Sequence, residues 1–308
     1  MLKNLNKLGG KLVIEFSRAY TNEADAEDAK LSTLEAPPGV QSSQISSFKG
    51  EKFLPNWITS LTYLKDLILS DAFSILKFIG QEFLGITDNT TNMDVVVAFP
   101  KLLILELSWC PQLEEWEDIK IQGQDTIRAM PKLKCLKIDS CNKLKELPHR
   151  LISKATSLEE LSFSEHIPSL SFNVQGSSVQ QPSNLQLLNI NSFMGKSMPN
   201  WILSLNHLIM IQIKNTFDLE DLPYEDIEAE EADTITVIPK LESLSIVSCD
   251  KLQVLPKQLL RKAPRLKKLE IKATRLLEES IMVDQQLMLH IEEIHINGTQ
   301  LMHQSRRS

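Results

Sequence analysis

One spacing recurs through the chain and restricts it more than any other feature. Leu133, Leu136, Ile138, Cys141, Leu144, Leu147 and Pro148 are repeated as Leu241, Leu244, Ile246, Cys249, Leu252, Leu255 and Pro256. The general form is L-x-x-L-x-L-x-x-C-x-x-L-x-x-L-P. Nine copies begin at Leu64, Leu102, Leu133, Leu158, Leu185, Leu208, Leu241, Leu266 and Ile291, at spacings of 38, 31, 25, 27, 23, 33, 25 and 25. The fourth and sixth positions are apolar and alternate with mostly polar ones, the period of a strand with one buried face. The ninth position turns the chain out of that strand, and the later leucines point back into the same core. One such coil cannot bury its own apolar face, so coils must stack and share a continuous core.

A period of roughly 20–29 residues with this pattern is the leucine-rich repeat signature. The expected fold is therefore an α/β solenoid, a horseshoe with a parallel concave β-sheet and an irregular or short-helical convex side. The short spacings are the basic period, and the longer ones imply insertions that leave as loops while the stack continues. Two weaker copies precede the nine: Val40, Ser43 and Ile45 fit a degraded coil, and Leu12 and Ile14 the end of another. The predicted organisation is a degraded N-terminal repeat and acidic loop over 1–39, a repeat domain over 40–302 in two blocks (about 40–175 and 183–302), and a polar tail over 303–308. Pro100, Pro131, Pro239 and Pro264 each stand just before the first Leu of a coil. A proline disfavours the helical region for the residue before it, which predicts extended geometry at the strand entry.

A larger duplication lies above the coil level. FKGEKFLPNWITSLTYLKDLIL (Phe48 to Leu69) matches FMGKSMPNWILSLNHLIMIQI (Phe193 to Ile213), and the segment from Met130 to Phe163 matches that from Ile238 to Ile271. Trp57 and Trp201 read as core packing of a repeated helical turn in preference to binding anchors. The acidic stretch Asp218 to Val237 and the basic run Lys257, Arg261, Lys262, Arg265, Lys267, Lys268 and Lys272 read as a solvated loop and a solvated convex face.

Composition excludes several functions. The net charge of -7 argues against a general nucleic-acid binder. No apolar run reaches the roughly 18–20 residues of a membrane span, and the start, MLKNLNKLGGKLVIEF, lacks the continuous apolar region of a signal peptide. A cytoplasmic location without disulfides is expected. Cys110, Cys141 and Cys249 fill the ninth position of a repeat and read as core residues, as free cysteine often is; with Cys135 they lack the paired spacing of a zinc site. The chain has no phosphate-binding loop, nucleophile elbow, H-E-x-x-H or kinase signature. No catalytic residue, metal or cofactor is assigned, and the chain is expected not to be an enzyme.

What remains is a surface. Residues at the third, fifth and seventh positions of each coil leave the concave side of the sheet. They vary from coil to coil while the core positions stay Leu or Ile. The candidate partner-binding residues are Asp66, Ile68, Ile104, Glu106, Lys137, Asp139, Glu160, Asn189, Asn191, Gln212, Lys214, Lys268, Glu270, Lys272 and His295, with Trp109 beside the Cys110 turn as an exposed candidate. Such a mixed array suits a protein partner, and its shortage of aromatic and Arg anchors implies modest affinity.

Several blocks, in order, carry a resemblance: NLNKLGGKLVIE, FKGEKFLPNWITSLTYLKDLIL, FIGQEFLG, FPKLLILELSWCPQLEEWE and MPKLKCLKIDSCNKLKELPHRL. They resemble the C-terminal leucine-rich repeat region of plant coiled-coil nucleotide-binding leucine-rich repeat disease resistance proteins. The resemblance implies a cytosolic immune receptor whose repeats sense pathogen effectors or modified host proteins and hold a nucleotide-binding region inactive, in cis or in trans. The family's coiled-coil and nucleotide-binding regions are missing from this sequence, and a coil is skipped between Ala72 and Phe78. The expected role is thus the recognition part of such a receptor, truncated. The alternatives are a free-standing repeat adaptor and a non-signalling paralogue.

Overall fold

A computed structural model describes residues 9–15, 39–46, 58, 61–70, 76–86, 96–119, 127–164, 184–198, 202, 205–220, 222, 238–252, 259–260, 263–272 and 290–297. They fall into two compact units, one running up to Glu159 and the other starting at Glu160. Both are parallel-sheet solenoids in which each coil contributes one strand to the main sheet.

The first unit contains β1 (Gly10–Glu15), β2 (Val40–Ser46), β3 (Asp66–Ser70), β4 (Phe78–Ile79), β5 (Val96–Ala98), β6 (Ile104–Ser108), β7 (Glu115–Trp116), β8 (Ile127–Ala129) and β9 (Cys135–Asp139). Its main sheet is β1-β2-β3-β6-β9, parallel throughout. Register follows the repeat: Leu67, Leu105 and Leu136 form one row, and Leu69, Leu107 and Ile138 the next. All six are buried. The degraded coil keeps this register, with Ser43 beside Leu67 and Ile45 beside Leu69. Ser43 thus occupies a leucine slot, and its buried Oγ has no hydrogen-bond partner.

The long coils differ from expectation. Their extra residues do not leave only as loops: β4 pairs with β7 and β5 with β8, each in parallel. The reason is apolar surface to cover. The FIGQEFLG block forms β4 and a 3-10 turn over Gln81–Leu84 that ends on Gly85 in the left-handed region (φ 73°). It buries Phe83 against Phe99 (5.2 Å between ring centroids) and edge-on to Trp116 (6.0 Å). Aromatic pairs at these separations are attractive beyond their buried area. The α1 helix (His149–Lys154) follows β9.

The second unit contains β10 (Glu160–Ser164), β11 (Leu187–Asn191), β12 (Met210–Lys214), β13 (Ser243–Val247), β14 (Lys268–Lys272) and β15 (Glu293–Asn297), paired in chain order and in parallel. Leu161, Leu188, Ile211, Leu244 and Leu269 share one buried row; Phe163, Ile190, Ile213, Ile246 and Ile271 share the other.

Two tight turns bracket the strands. The first is closed by the N–H of each coil's first Leu, which donates to the carbonyl three residues back: Leu102 to Phe99 (3.2 Å), Leu133 to Met130 (2.9 Å), Leu241 to Ile238 (3.3 Å) and Leu266 to Ala263 (3.1 Å). Pro100, Pro131, Pro239 and Pro264 take the second position of these turns, where a fixed φ near −65° fits. The expectation of extended geometry before each proline fails at two of them. Phe99 (φ 50°) and Met130 (φ 47°) have positive φ. The proline clash bars the right-handed helical region but does not set the sign of φ. The reversal out of β5 and β8 requires the positive value, and burial of both side chains holds it.

The second turn starts at the ninth position, with Leu113 donating to Cys110 (3.1 Å), Leu144 to Cys141 (3.0 Å) and Leu252 to Cys249 (3.1 Å). Cys110, Cys141 and Cys249 are buried free thiols, as the repeat predicts, and Cys135 is also buried and free. Each ninth-position Sγ lies within hydrogen-bond range of a carbonyl two residues back. Burial pushes the Cys249 thiol up from its ordinary pKa. A hydrogen bond from the Cys110 thiol to Cys141, together with burial, pushes the Cys110 pKa up as well.

Trp57 and Trp201, all of 21–38, most of the acidic stretch, 71–75 within the proposed coil skip, Lys257, Arg261, Lys262 and the tail 303–308 lie outside the described residues.

Candidate partner-binding surface

The repeat register sets the rows of side chains that leave each sheet. In the first unit the third-position row is Asp66, Ile104 and Cys135, the fifth is Ile68, Glu106 and Lys137, and the seventh is Ser70, Ser108 and Asp139. Successive strands are about 4.8 Å apart, so row neighbours are within side-chain reach. Asp66, Ile68, Ile104, Glu106, Lys137 and Asp139 are all half-exposed. Ser108 and Cys135 depart from the alternation and are buried.

Trp109 follows this sheet directly and is 62% exposed. It stands at the eighth position of its coil with φ 56°; Ser140, Ser192, Asn215 and Ser248 hold that position in other coils, also at positive φ. There the chain leaves the strand, and the backbone N–H donates across to the neighbouring coil: Trp109 to Asp139 O (3.0 Å), Ser192 to Lys214 O (2.8 Å), Asn215 to Val247 O (2.9 Å). Asparagine tolerates the left-handed region, whereas a bulky aromatic there is an outlier. Trp109 therefore combines an unfavourable backbone position with incomplete burial.

In the second unit the third-position row is Glu160, Leu187, Met210, Ser243, Lys268 and Glu293. The fifth is Ser162, Asn189, Gln212, Ser245, Glu270 and His295, and the seventh begins Ser164, Asn191, Lys214, Val247 and Lys272. Two chemistries divide this sheet. Over β11 and β12 the polar groups are mainly amides that bind one another: Asn215 Nδ2 donates to Asn191 Oδ1 (2.9 Å) and Lys214 Nζ to Gln212 Oε1 (3.4 Å). Asn189 Oδ1 is buried with no partner. Over β14 and β15 the groups are ionic. Lys268 pairs with Glu293 (3.3 Å), His295 Nε2 lies 3.8 Å from the same carboxylate, and Lys272 pairs with Glu270. Ser245 Oγ donates to Glu270 Oε2 at 2.6 Å, which explains why this hydroxyl, unlike its row neighbours, is buried. The hydrogen bonds from Lys272 and Ser245 hold the Glu270 carboxyl below its ordinary pKa.

Ladders of opposite charge run beside the sheets. Lys134 pairs with Glu159 (2.9 Å) and Lys145 with Glu114 (3.7 Å) in the first unit; Lys267 pairs with Glu242 (3.2 Å) and Lys251 with Asp218 (2.6 Å) in the second. The Lys251 ammonium lowers the Asp218 pKa, and Asp218 raises that of Lys251. These pairs are exposed and join equivalent positions of successive coils, so they help align the stack more than they stabilise it.

Sequence reasoning placed the sixteen candidates on one concave face; seven fall in the first unit and nine in the second, and each unit's sheet is described by itself. It missed Asn215, whose amide binds Asn191, and the positive φ of Trp109. The signal for Asn215 is its eighth-position slot after β12. Among the described residues no group of three His, Cys, Asp or Glu side chains could hold a metal, and no helix is long and apolar enough to cross a membrane.

No family model and no curated protein sequence matches this chain. Solved structures do. The leucine-rich repeat domain of the type III effector XopL aligns over 89% of this chain and 81% of its own, at 18% identity and TM-score 0.43. An internalin of Listeria monocytogenes aligns over 86% and 68%, at 13% identity and TM-score 0.38. A leucine-rich repeat protein of Leptospira interrogans aligns over 92% and 77%, at 17% identity and TM-score 0.33. The leucine-rich repeat assignment rests on this chain's own strand register, in which each L-x-x-L-x-L copy is a strand paired with its neighbouring copies.

Proposed function

We propose that this chain is the protein-recognition module of a plant intracellular immune receptor, sensing a pathogen effector or host target and restraining a nucleotide-binding region. The block order from NLNKLGGKLVIE to MPKLKCLKIDSCNKLKELPHRL supports the family reading. The observation that carries recognition itself is the contrast between rows. Core rows repeat Leu and Ile, while the open rows change chemistry from coil to coil, from Asp66, Glu106 and Lys137 to Asn189, Gln212 and Lys268. A scaffold needs the first constancy, and the second variation suits a surface that recognises a partner.

Within this reading residues 40–302 form the recognition domain. Trp109, Glu106 and Lys137 make partner contacts from the first unit, and Asn189, Asn191, Gln212, Lys214, Glu270 and His295 from the second. Trp109 is the anchor, because a large aromatic carries more interface energy than the polar residues around it. The protein acts in the cytoplasm without a cofactor or catalytic step. A free-standing repeat adaptor shares this binding face and lacks only the nucleotide-binding partner.

Binding to the nucleotide-binding region of a resistance receptor, measured by titration calorimetry, tests the proposal. Trp109→Ala and Glu106→Lys should each weaken it at least about tenfold with unchanged circular dichroism. Absence of binding, or affinity equal to the parent's in both variants, would remove the immune-receptor reading.

A further inference from the structure

Charge on the two sheet faces is met in different ways. In the second unit Glu270 is held by Lys272 and Ser245, and Glu293 by Lys268. In the first unit Lys137 and Asp139 are engaged as well. Asp66 and Glu106 are not: among the described residues neither side chain has an ion pair or a hydrogen bond. Lys137 lies beside Glu106 in register and still leaves it unpaired. The third-position row supplies no cation to Asp66, whose row neighbours are Ser42, Ile104 and then the buried Cys135. The placement of the two carboxylates is specific. Asp66 faces Ile104 across the β3–β6 ladder, and Ile68 faces Glu106. The four side chains make a two-by-two block, with carboxylates on one diagonal and half-exposed isoleucines on the other. Strand spacing and rise put the Cα atoms of Asp66 and Glu106 roughly 8 Å apart.

We propose that this block is a subsite for an arginine side chain of a protein partner, carried on an arginine-rich segment; the proposal rests on the reading of this face as a recognition surface. A guanidinium is a planar fork of N–H donors, so one group can bond both carboxylates. The arginine's apolar stem lies along Ile68 and Ile104, while its charged head meets Asp66 and Glu106. A lysine ammonium is compact and strongly hydrated, and it answers one carboxylate at a time. Hydrogen bonds between ionised groups are roughly twice as strong as neutral ones, and a cation between Asp66 and Glu106 also relieves the repulsion of two like charges on adjacent strands. The exposed ring of Trp109, at the exit of β6 on the coil of Glu106, suits a second guanidinium of the same segment.

Fluorescence anisotropy with labelled hexa-arginine and hexalysine peptides tests the subsite. The full chain should bind hexa-arginine at least about tenfold more tightly than hexalysine. Asp66→Asn combined with Glu106→Gln should weaken hexa-arginine binding at least about tenfold, with unchanged circular dichroism. Glu114→Gln combined with Glu242→Gln removes the same charge from the ladders beside the sheets and should change the affinity less than about twofold. No binding of hexa-arginine, or equal affinity for the two peptides, overturns the subsite. So do equal losses in the two double variants, which would mean attraction to net negative charge alone. The result is separable from the immune-receptor reading. A nucleotide-binding region bound equally by the parent and by the Asp66→Asn, Glu106→Gln variant removes the arginine subsite and leaves that reading standing. Hexa-arginine bound at this block, with no binding of the nucleotide-binding region, does the reverse.

Discussion

At the scale of single residues, the repeat fixes the slot and the structure shows how each occupant meets its demands. Cys110, Cys141 and Cys249 sit in the buried ninth slot, where a small thiol reaches a backbone carbonyl. Glu270 shows the opposite case, a carboxylate held on the open face. Its partners Lys272 and Ser245 favour the charged form, so its folded pKa lies below the ordinary 4.5. A group with a lowered folded pKa adds stability above its unfolded pKa, and that stability is lost as pH falls through the folded value. Glu270→Gln should therefore lower the midpoint of urea unfolding at pH 7. The two proteins should converge as pH is taken below the usual carboxylate range. A difference that persists undiminished at pH 2 would assign the effect to packing instead of charge. Slots of this kind were legible in the sequence, since spacing alone put Glu270 on the face. Its bond to Ser245 was not, because that pair is made across coils 25 residues apart.

At the scale of elements, turns and caps are shared between coils. The α1 helix begins after Pro148, which has no side-chain acceptor for the first free N–H groups. The carboxylate of Asp118, from the preceding coil, takes that role. Arg150 N donates to Oδ1 and Oδ2 (3.0 and 2.9 Å), and Leu151 N donates to Oδ1 (3.1 Å). Arg150 returns the contact through Nη1 to Ile119 O (3.1 Å). These are the second and third N–H groups of the helix, the donors that an N-cap side chain ordinarily satisfies. Asp118→Ala should cost about 1–2 kcal/mol in denaturant unfolding, and Asp118→Asn should recover part of it. Equal losses for both would mean that charge, not the oxygen acceptor, matters. The sequence shows a helical turn after Leu147 but offers no sign of its cap, because local rules look within a few residues and Asp118 is 32 away from Arg150. The β4–β7 and β5–β8 ladders escaped for a related reason. Two- and three-residue strands carry too little periodicity to be told from loop.

At the scale of the whole molecule, the sequence reveals the period and the core rows, because stacking makes every coil solve the same burial problem. It reveals the open rows only as positions; what those positions bind depends on chemistry across coils that no single coil encodes. The same one-dimensional logic governs stability. Each coil's core touches the coils on either side, so the free energy is a sum of coil and neighbour terms. Within the second unit, Leu244 is fully buried and lies in register between Ile211 and Leu269. Leu244→Ala should cost about 2–5 kcal/mol through the cavity it leaves. The loss should be read locally: amide exchange should speed up most in β12, β13 and β14, and least in β10, two coils from β12. Equal acceleration across β10 to β14 would show the unit unfolding as one cooperative block, and nearest-neighbour coupling would then be the wrong account of how these coils hold together.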